Sequence, residues 1–252
     1  MIRARRSTVG GLASLLALWA VGAAEAQPVE VSFVTSDSVT IHGTYYPVGN
    51  SPAPAVVLLH MLGKSRRDWS VFAESAAWSG FAVLAIDLRG HGQSTAMKSG
   101  SLSVKTMSPA DFSAMTKDVE ASVEWLRNRR DVDSGAIALV GASIGANVAL
   151  TYGAGDTAIR AVVLLSPGEV YRGFALQPAL REYVPRRLLA IAAEDDNYSL
   201  LTIRSLAGED SGKVDVQVYS DGGHGTYLLA ARPELAGRVI EFLNTCMKLT
   251  RK

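Results

Sequence analysis

A serine between two glycines, a histidine in a glycine-rich turn and a short acidic turn are the residues of this 252-residue chain best suited to chemistry. Ser143 lies in Gly141-Ala142-Ser143-Ile144-Gly145, directly after the apolar run Ala136–Val140. A hydroxyl is a weak nucleophile unless a base takes its proton and the backbone thrusts it out of a tight turn. A strand running sharply into a helix provides that turn, and flanking glycines give it room. The base has to be an imidazole within hydrogen-bond reach. Of the four histidines, His42, His60, His91 and His224, only His224 follows Ser143. It sits in Asp221-Gly222-Gly223-His224-Gly225, just after the apolar-rich run Val214–Tyr219, where glycines let a loop carry the ring over a sheet edge.

An imidazole that shuttles a proton needs a carboxylate to orient it and stabilise its cation. The run Leu188–Ala192 leads into Glu194-Asp195-Asp196. Asp196 is the first choice of acid, Asp195 the second and Glu169, after the preceding strand, the third. A tetrahedral intermediate also needs backbone N–H donors aimed at its oxyanion. The amide of Ile144, next after the serine, supplies one. The other comes from His60-Met61-Leu62-Gly63, with Leu62 favoured and Met61 the alternative; His60 reads as a brace for that loop. Asp87 and His91, in Asp87-Leu88-Arg89-Gly90-His91-Gly92-Gln93-Ser94, read as turn-holding residues rather than catalytic ones.

These residues have to be positioned by regular elements. Val29–Thr35 and Val39–Tyr46, joined by Ser36-Asp37-Ser38, read as a hairpin. Thereafter short apolar runs alternate with helical patterns. The runs Ala55–Leu59, Ala82–Ile86, Ile137–Val140, Ala161–Leu165, Leu188–Ala192 and Val214–Tyr219 are mostly apolar throughout, as in parallel strands covered on both faces. Helices are expected over Arg67–Ser79, Asp111–Arg129, Ile144–Tyr152, Ser199–Ala207 and Pro233–Met247. Ser108-Pro109 followed by Asp111 reads as a capped helix start. Thr95–Ser108 reads as a polar loop and Ser166–Arg187 as a small lid without a long helix. The alternation predicts a single doubly wound α/β domain over 27–252, and in such sheets sites form outside the carboxyl ends of the strands.

With the pieces in the order Ser143, Asp196, His224, preceded by His60-Met61-Leu62-Gly63 and Asp87–Ser94, the chain resembles the α/β-hydrolase superfamily, near its serine esterases and compact dienelactone-hydrolase-like members. The resemblance implies an eight-stranded, mostly parallel sheet with an antiparallel second strand, helices on both faces and a serine mechanism without metal or cofactor. It departs from the family in two places. Met61 stands where glycine is usual after the oxyanion-loop histidine, which bears on the acyl pocket and on the choice of Leu62. The cap is reduced to about 166–187, which implies an open site.

Residues 1–26 read differently from the rest. Arg3, Arg5 and Arg6 precede an apolar stretch, Val9–Ala24, and Ala24-Glu25-Ala26 fits a small-x-small cleavage pattern, so a secretory signal peptide is expected, with a periplasmic or secreted product. The apolar core is short for a membrane span, and no stable anchor is expected after cleavage. The whole chain carries a net charge of +1, and loss of the leader lowers it by two, to −1; neither value suggests a nucleic-acid partner. Cys246 is the only cysteine, so no disulfide forms within one molecule. The expected partner is a small-molecule ester. A peptidase or amidase on the same scaffold, and a binding protein that keeps the fold without catalysis, are the alternatives. Substrate identity and oligomeric state are not encoded in any motif.

Overall fold

The computed structural model describes residues 27–49, 52–98, 100–209 and 214–247. The expected leader lies outside these described residues. Strands β1 (Val29–Val34) and β2 (Thr40–Tyr46) form the expected hairpin, with Val34 opposite Thr40. Six parallel strands follow: β3 (Ala53–Leu59), β4 (Ala82–Ile86), β5 (Val132–Ala142), β6 (Ile159–Leu165), β7 (Arg187–Ala193) and β8 (Val214–Tyr219). Their order is β1-β2-β4-β3-β5-β6-β7-β8, and β2 runs antiparallel to both its neighbours.

The all-apolar strands have two buried faces. Along β3, Val57 and Leu59 join one core cluster while Val56 and Leu58 join the other; in β4, Leu84 and Ile86 split in the same way from Val83 and Ala85. This is the period-two alternation of a sheet covered on both sides. Each such Val, Leu or Ile contributes about 1.5–3 kcal/mol relative to an exposed position. Helices α1 (Ser70–Trp78), through Phe72 and Ala73, and, at the chain's end, Glu234–Met247, through Leu235, Val239 and Leu243, cover one face. Helix α2 (Met115–Arg127) covers the other with Met115, Val119, Val123 and Leu126, beside α3 (Ile144–Gly155).

The Ser108–Asp111 capping box is present, but it opens a short helix, Pro109–Ser113, separated from α2 by Ala114. The lid segment holds more structure than its sequence suggests. Val170–Tyr171 pairs with Phe174–Ala175 in a small ribbon, and α4 (Leu176–Tyr183) buries Leu176, Ala179, Leu180 and Tyr183. Pro178 is the third residue of α4, where a proline's missing amide has no intrahelical acceptor to lose. Helices α5 (Asn197–Glu209), α6 (Thr226–Ala231) and α7 (Glu234–Met247) complete the fold, and Cys246 is a partly buried free thiol on α7.

The register brings the strand ends together. Leu59 lies beside Gly141, Ala142 beside Leu165, Leu165 beside Ile191 and Ala193 beside Tyr219. The segments that begin at His60, Ser143, Ser166, Glu194 and Ser220 therefore leave the sheet along one edge.

Candidate active site

Ser143 takes φ 55° and ψ −124° between β5 and α3, a conformation that side chains other than glycine's rarely adopt. Its amide donates to the Leu165 carbonyl at 2.9 Å, which ties the turn to β6. The two flanking glycines are sterically required. A Cβ on Gly141 would collide with the Gly145 carbonyl, and one on Gly145 would lie 2.5 Å from the Leu59 oxygen and 2.6 Å from that of His60. The start of α3 thus packs directly onto the end of β3, and Ser143 as a residue is 8% exposed.

Asp196 receives the ring of His224: Nδ1 and Oδ2 are 2.7 Å apart. Burial raises the Asp196 pKa, but Ser199, the His224 ring and Ser166 outweigh it and hold the carboxyl below its ordinary value. Asp195 serves the loop instead, accepting from the amides of Gly222 and Gly223 at 3.1 Å. The two adjacent acids therefore have separate roles, one on the imidazole and the other on the turn that carries it. Glu169 lies on the lid, where its carbonyl accepts from Leu176 at 3.0 Å. Among the described residues no hydrogen bond joins Ser143 Oγ to His224; the bonded pair is His224 and Asp196.

The loop after β3 is braced by His60, as expected. Its Nε2 accepts the Leu88 amide at 3.0 Å, so Nδ1 carries the proton and donates to the Met61 carbonyl at 2.7 Å. Burial and the neighbouring His91 push the His60 pKa down to about 4, despite opposing contributions from Met61 and Asp87. Met61 is buried and Leu62 is exposed. The Met61 thioether fills the space a Cβ on Gly225 would need, so this departure from glycine supports the histidine turn instead of lining open space. Among the described residues no hydrogen bond is made by the amides of Met61, Leu62 and Ile144.

Asp87 accepts from the Arg66 and Gln93 amides at 2.8 and 2.9 Å and pairs with the Arg66 guanidinium. His91 Nδ1 lies 2.9 Å from the Arg89 carbonyl, and Arg89 itself reaches Asp118 and Asp37. These groups hold the turn after β4, as the sequence leads one to expect.

Four site residues carry no sequence signal. Ser166, at φ 49°, is fully buried and accepts the Gly225 amide at 2.8 Å. Asn147, on the first turn of α3, is also fully buried; its amide nitrogen donates to the Gly168 and Phe174 carbonyls at 2.7 and 2.9 Å, and its oxygen accepts the Gly168 amide at 3.2 Å. Tyr171 sets its ring edge-on to His224 (centroids 6.4 Å apart) and to Tyr198 (5.6 Å). Ser199 lies fully buried beside Asp196. Beyond Tyr198, a part-open hollow of about 130 Å³ lies between the lid and α5, lined by Leu176, Leu201, Leu206 and Tyr198, with Glu169 among its polar groups.

With this geometry in hand, comparison with known proteins places the chain. Residues 54–207 match the family described as alpha/beta hydrolase fold. The quorum-quenching protein AidA of Acinetobacter baumannii is 26% identical over 175 residues, covering 69% of this chain and 54% of that protein. An uncharacterised protein of Mycobacterium tuberculosis is 30% identical over 122 residues, 48% of this chain and 39% of its own length. The chain thus spans about half or less of the curated relatives it matches. Among solved structures, the Pyrococcus furiosus esterase Pf2001 superposes with a TM-score of 0.70 at 22% identity, covering 88% of this chain and 91% of that one. A dienelactone hydrolase from Anabaena variabilis gives 0.65 at 18%, covering 90% and 100%. Sheet order, strained serine turn and family match agree: this chain belongs to the α/β-hydrolase fold family.

Proposed function

We propose that the protein is a serine hydrolase that cleaves a small carboxylic ester through an acyl-enzyme. The observation that carries this reading is the 2.7 Å pair of His224 and Asp196 at the same sheet edge as the strained Ser143 turn. Ser143 Oγ attacks the ester carbonyl carbon as its proton passes to His224 Nε2. The Nδ1–H donates to Asp196, whose charge stabilises the imidazolium. The carbonyl oxygen becomes an oxyanion, received by the amides of Ile144 and Leu62. Collapse breaks the bond to the alcohol oxygen, which leaves with the proton from Nε2. Water then repeats the sequence against the acyl group, with His224 as base, and releases the acid and free Ser143.

Incubation with a fluorophosphonate probe tests the reading. Wild type is expected to label and Ser143→Ala to stay unlabelled; labelling that persists in the variant refutes it. Turnover of short p-nitrophenyl esters that disappears in His224→Ala excludes a merely binding role. A quorum-quenching role, as named for the Acinetobacter relative, is the second reading, tested by loss of signal activity in a reporter culture. We also propose that residues 1–26 are a cleaved leader; amino-terminal sequencing of exported protein is expected to begin at Gln27.

A further inference from the structure

Tyr171 is presented to the site with more apparatus than a lid residue requires. Asn147, fully buried on the helix that follows Ser143, grips both ends of the ribbon through Gly168 and Phe174. Gly168 leaves no room for a side chain: a Cβ there would lie 2.6 Å from the rings of both Tyr171 and Tyr198. Arg172 at φ 49° and Gly173 at φ 93° reverse the chain at once, so Tyr171 is the last paired residue before the turn. Tyr198 locks the same ribbon by bonding the Val170 amide and carbonyl at 3.2 and 3.3 Å. The ring stands perpendicular to that of His224.

The hydroxyl of Tyr171 lies within reach of the Ser199 and Ser143 hydroxyls. Ser199 Oγ, the buried hydroxyl beside it, has no hydrogen-bond partner of ordinary geometry among the described residues. Burial, together with the charge of Asp196 and with Tyr198, raises the Tyr171 pKa against the pull of Ser199 and Ser143, so the phenol remains a proton donor through the neutral range.

We propose that Tyr171 is a specificity residue whose hydroxyl donates a hydrogen bond to an acceptor oxygen carried by the substrate next to its scissile carbonyl. The favoured substrates are esters with an ether, hydroxyl or carbonyl oxygen on the acyl carbon adjacent to the ester. This rests on the serine hydrolase reading above. A purely alkyl acyl group gives the phenol nothing to bind and leaves it desolvated against carbon. A neutral hydrogen bond contributes about 0.5–1.5 kcal/mol net, roughly two- to tenfold in kcat/KM.

The test uses p-nitrophenyl methoxyacetate and p-nitrophenyl butyrate, which have nearly the same shape and differ by one oxygen for one methylene. Rates are first divided by those of alkaline hydrolysis to remove intrinsic reactivity. Wild type is expected to prefer methoxyacetate by about two- to tenfold, mainly through KM. Tyr171→Phe, which keeps the ring packing on His224 and Tyr198, is expected to bring the ratio near one, with the greater loss falling on methoxyacetate. Equal ratios in wild type and variant overturn the proposal, as does an equal loss on both esters, which marks a structural role. Fluorophosphonate labelling is run on both proteins: retained labelling with no change of ratio sinks the Tyr171 assignment alone, whereas absence of labelling in both sinks the serine hydrolase reading.

Discussion

Replacing Asn147 with alanine tests how the lid is held over the site. The side chain is fully buried and makes three hydrogen bonds to two lid residues 21 and 27 positions away. The change orphans the Gly168 amide, the Gly168 carbonyl and the Phe174 carbonyl, all on buried residues. Each lost bond contributes about 1 kcal/mol net, and each buried group left unpaired costs about 1–3 kcal/mol. Three rigidly orphaned groups set a range of about 3–9 kcal/mol, and lifting of the ribbon to admit water moves the outcome toward its lower end, about 3–5 kcal/mol. Domains of this size commonly have about 5–15 kcal/mol of stability, so the variant is expected to fold with a much lower urea midpoint. Tryptophan fluorescence during urea titration measures it, and limited proteolysis is expected to cut first within 166–187. Asn147→Asp sharpens the test. It keeps an acceptor for Gly168 but turns an oxygen toward two carbonyls, so it is expected to be at least as destabilised as the alanine variant. A loss under about 1 kcal/mol in alanine, or an aspartate tolerated as well as asparagine, refutes the reasoning.

The division between the two acids predicts that Asp196→Asn lowers kcat by roughly 10³–10⁴, whereas Asp195→Asn, which only loosens the Gly222-Gly223 anchor, changes it by less than about tenfold; steady-state kinetics on one ester separates them, and the reverse ranking makes Asp195 the orienting acid. Gly145→Ala forces a methyl against the Leu59 and His60 carbonyls and is expected to cost several kcal/mol, about 2–4, in thermal unfolding because backbone has to move; a shift within error contradicts the close packing of α3 on β3. Because the folded-state pKa of His60 lies at about 4, below the ordinary 6.5, its contribution is fully present above pH 6.5 and lost as pH falls from 6.5 through 4. That drop corresponds to about 3 kcal/mol. His60→Gln is expected to be less stable at pH 7 but to lose about that much less between pH 7 and 4; parallel stability–pH curves for the two proteins rule out a buried neutral His60.

The sheet and the reacting residues could be read along the chain because the physics that produces them is local. A strand covered on both faces has to be apolar at consecutive positions, and Ala82–Ile86 or Leu188–Ala192 shows this without neighbours. A serine held at φ 55° against a packed helix needs small flanking residues, and Gly141 and Gly145 show that too. The capping box at Ser108 is likewise complete within four residues.

What tertiary structure decided are choices that local sequence leaves degenerate. Asp195 and Asp196 are the same residue type in one turn. Which of them meets His224, 28 positions on, depends on how the loop after β8 returns across the sheet edge. Met61 looks like an intrusion into an oxyanion loop until its thioether is found filling the space beside Gly225. Ser166 and Asn147 are ordinary residues whose partners lie 59, 21 and 27 positions away. The amphipathic lid helix α4 tolerates Pro178 as its third residue, because a proline's cost depends on whether its amide had an acceptor to lose. The sequence alone settled the strands of the sheet, most of the covering helices and which residue types stand at their ends. The fold settled which of those ends touch, because hydrogen bonds and close packing are set by distance in space, and that distance exists only once the strands are in register.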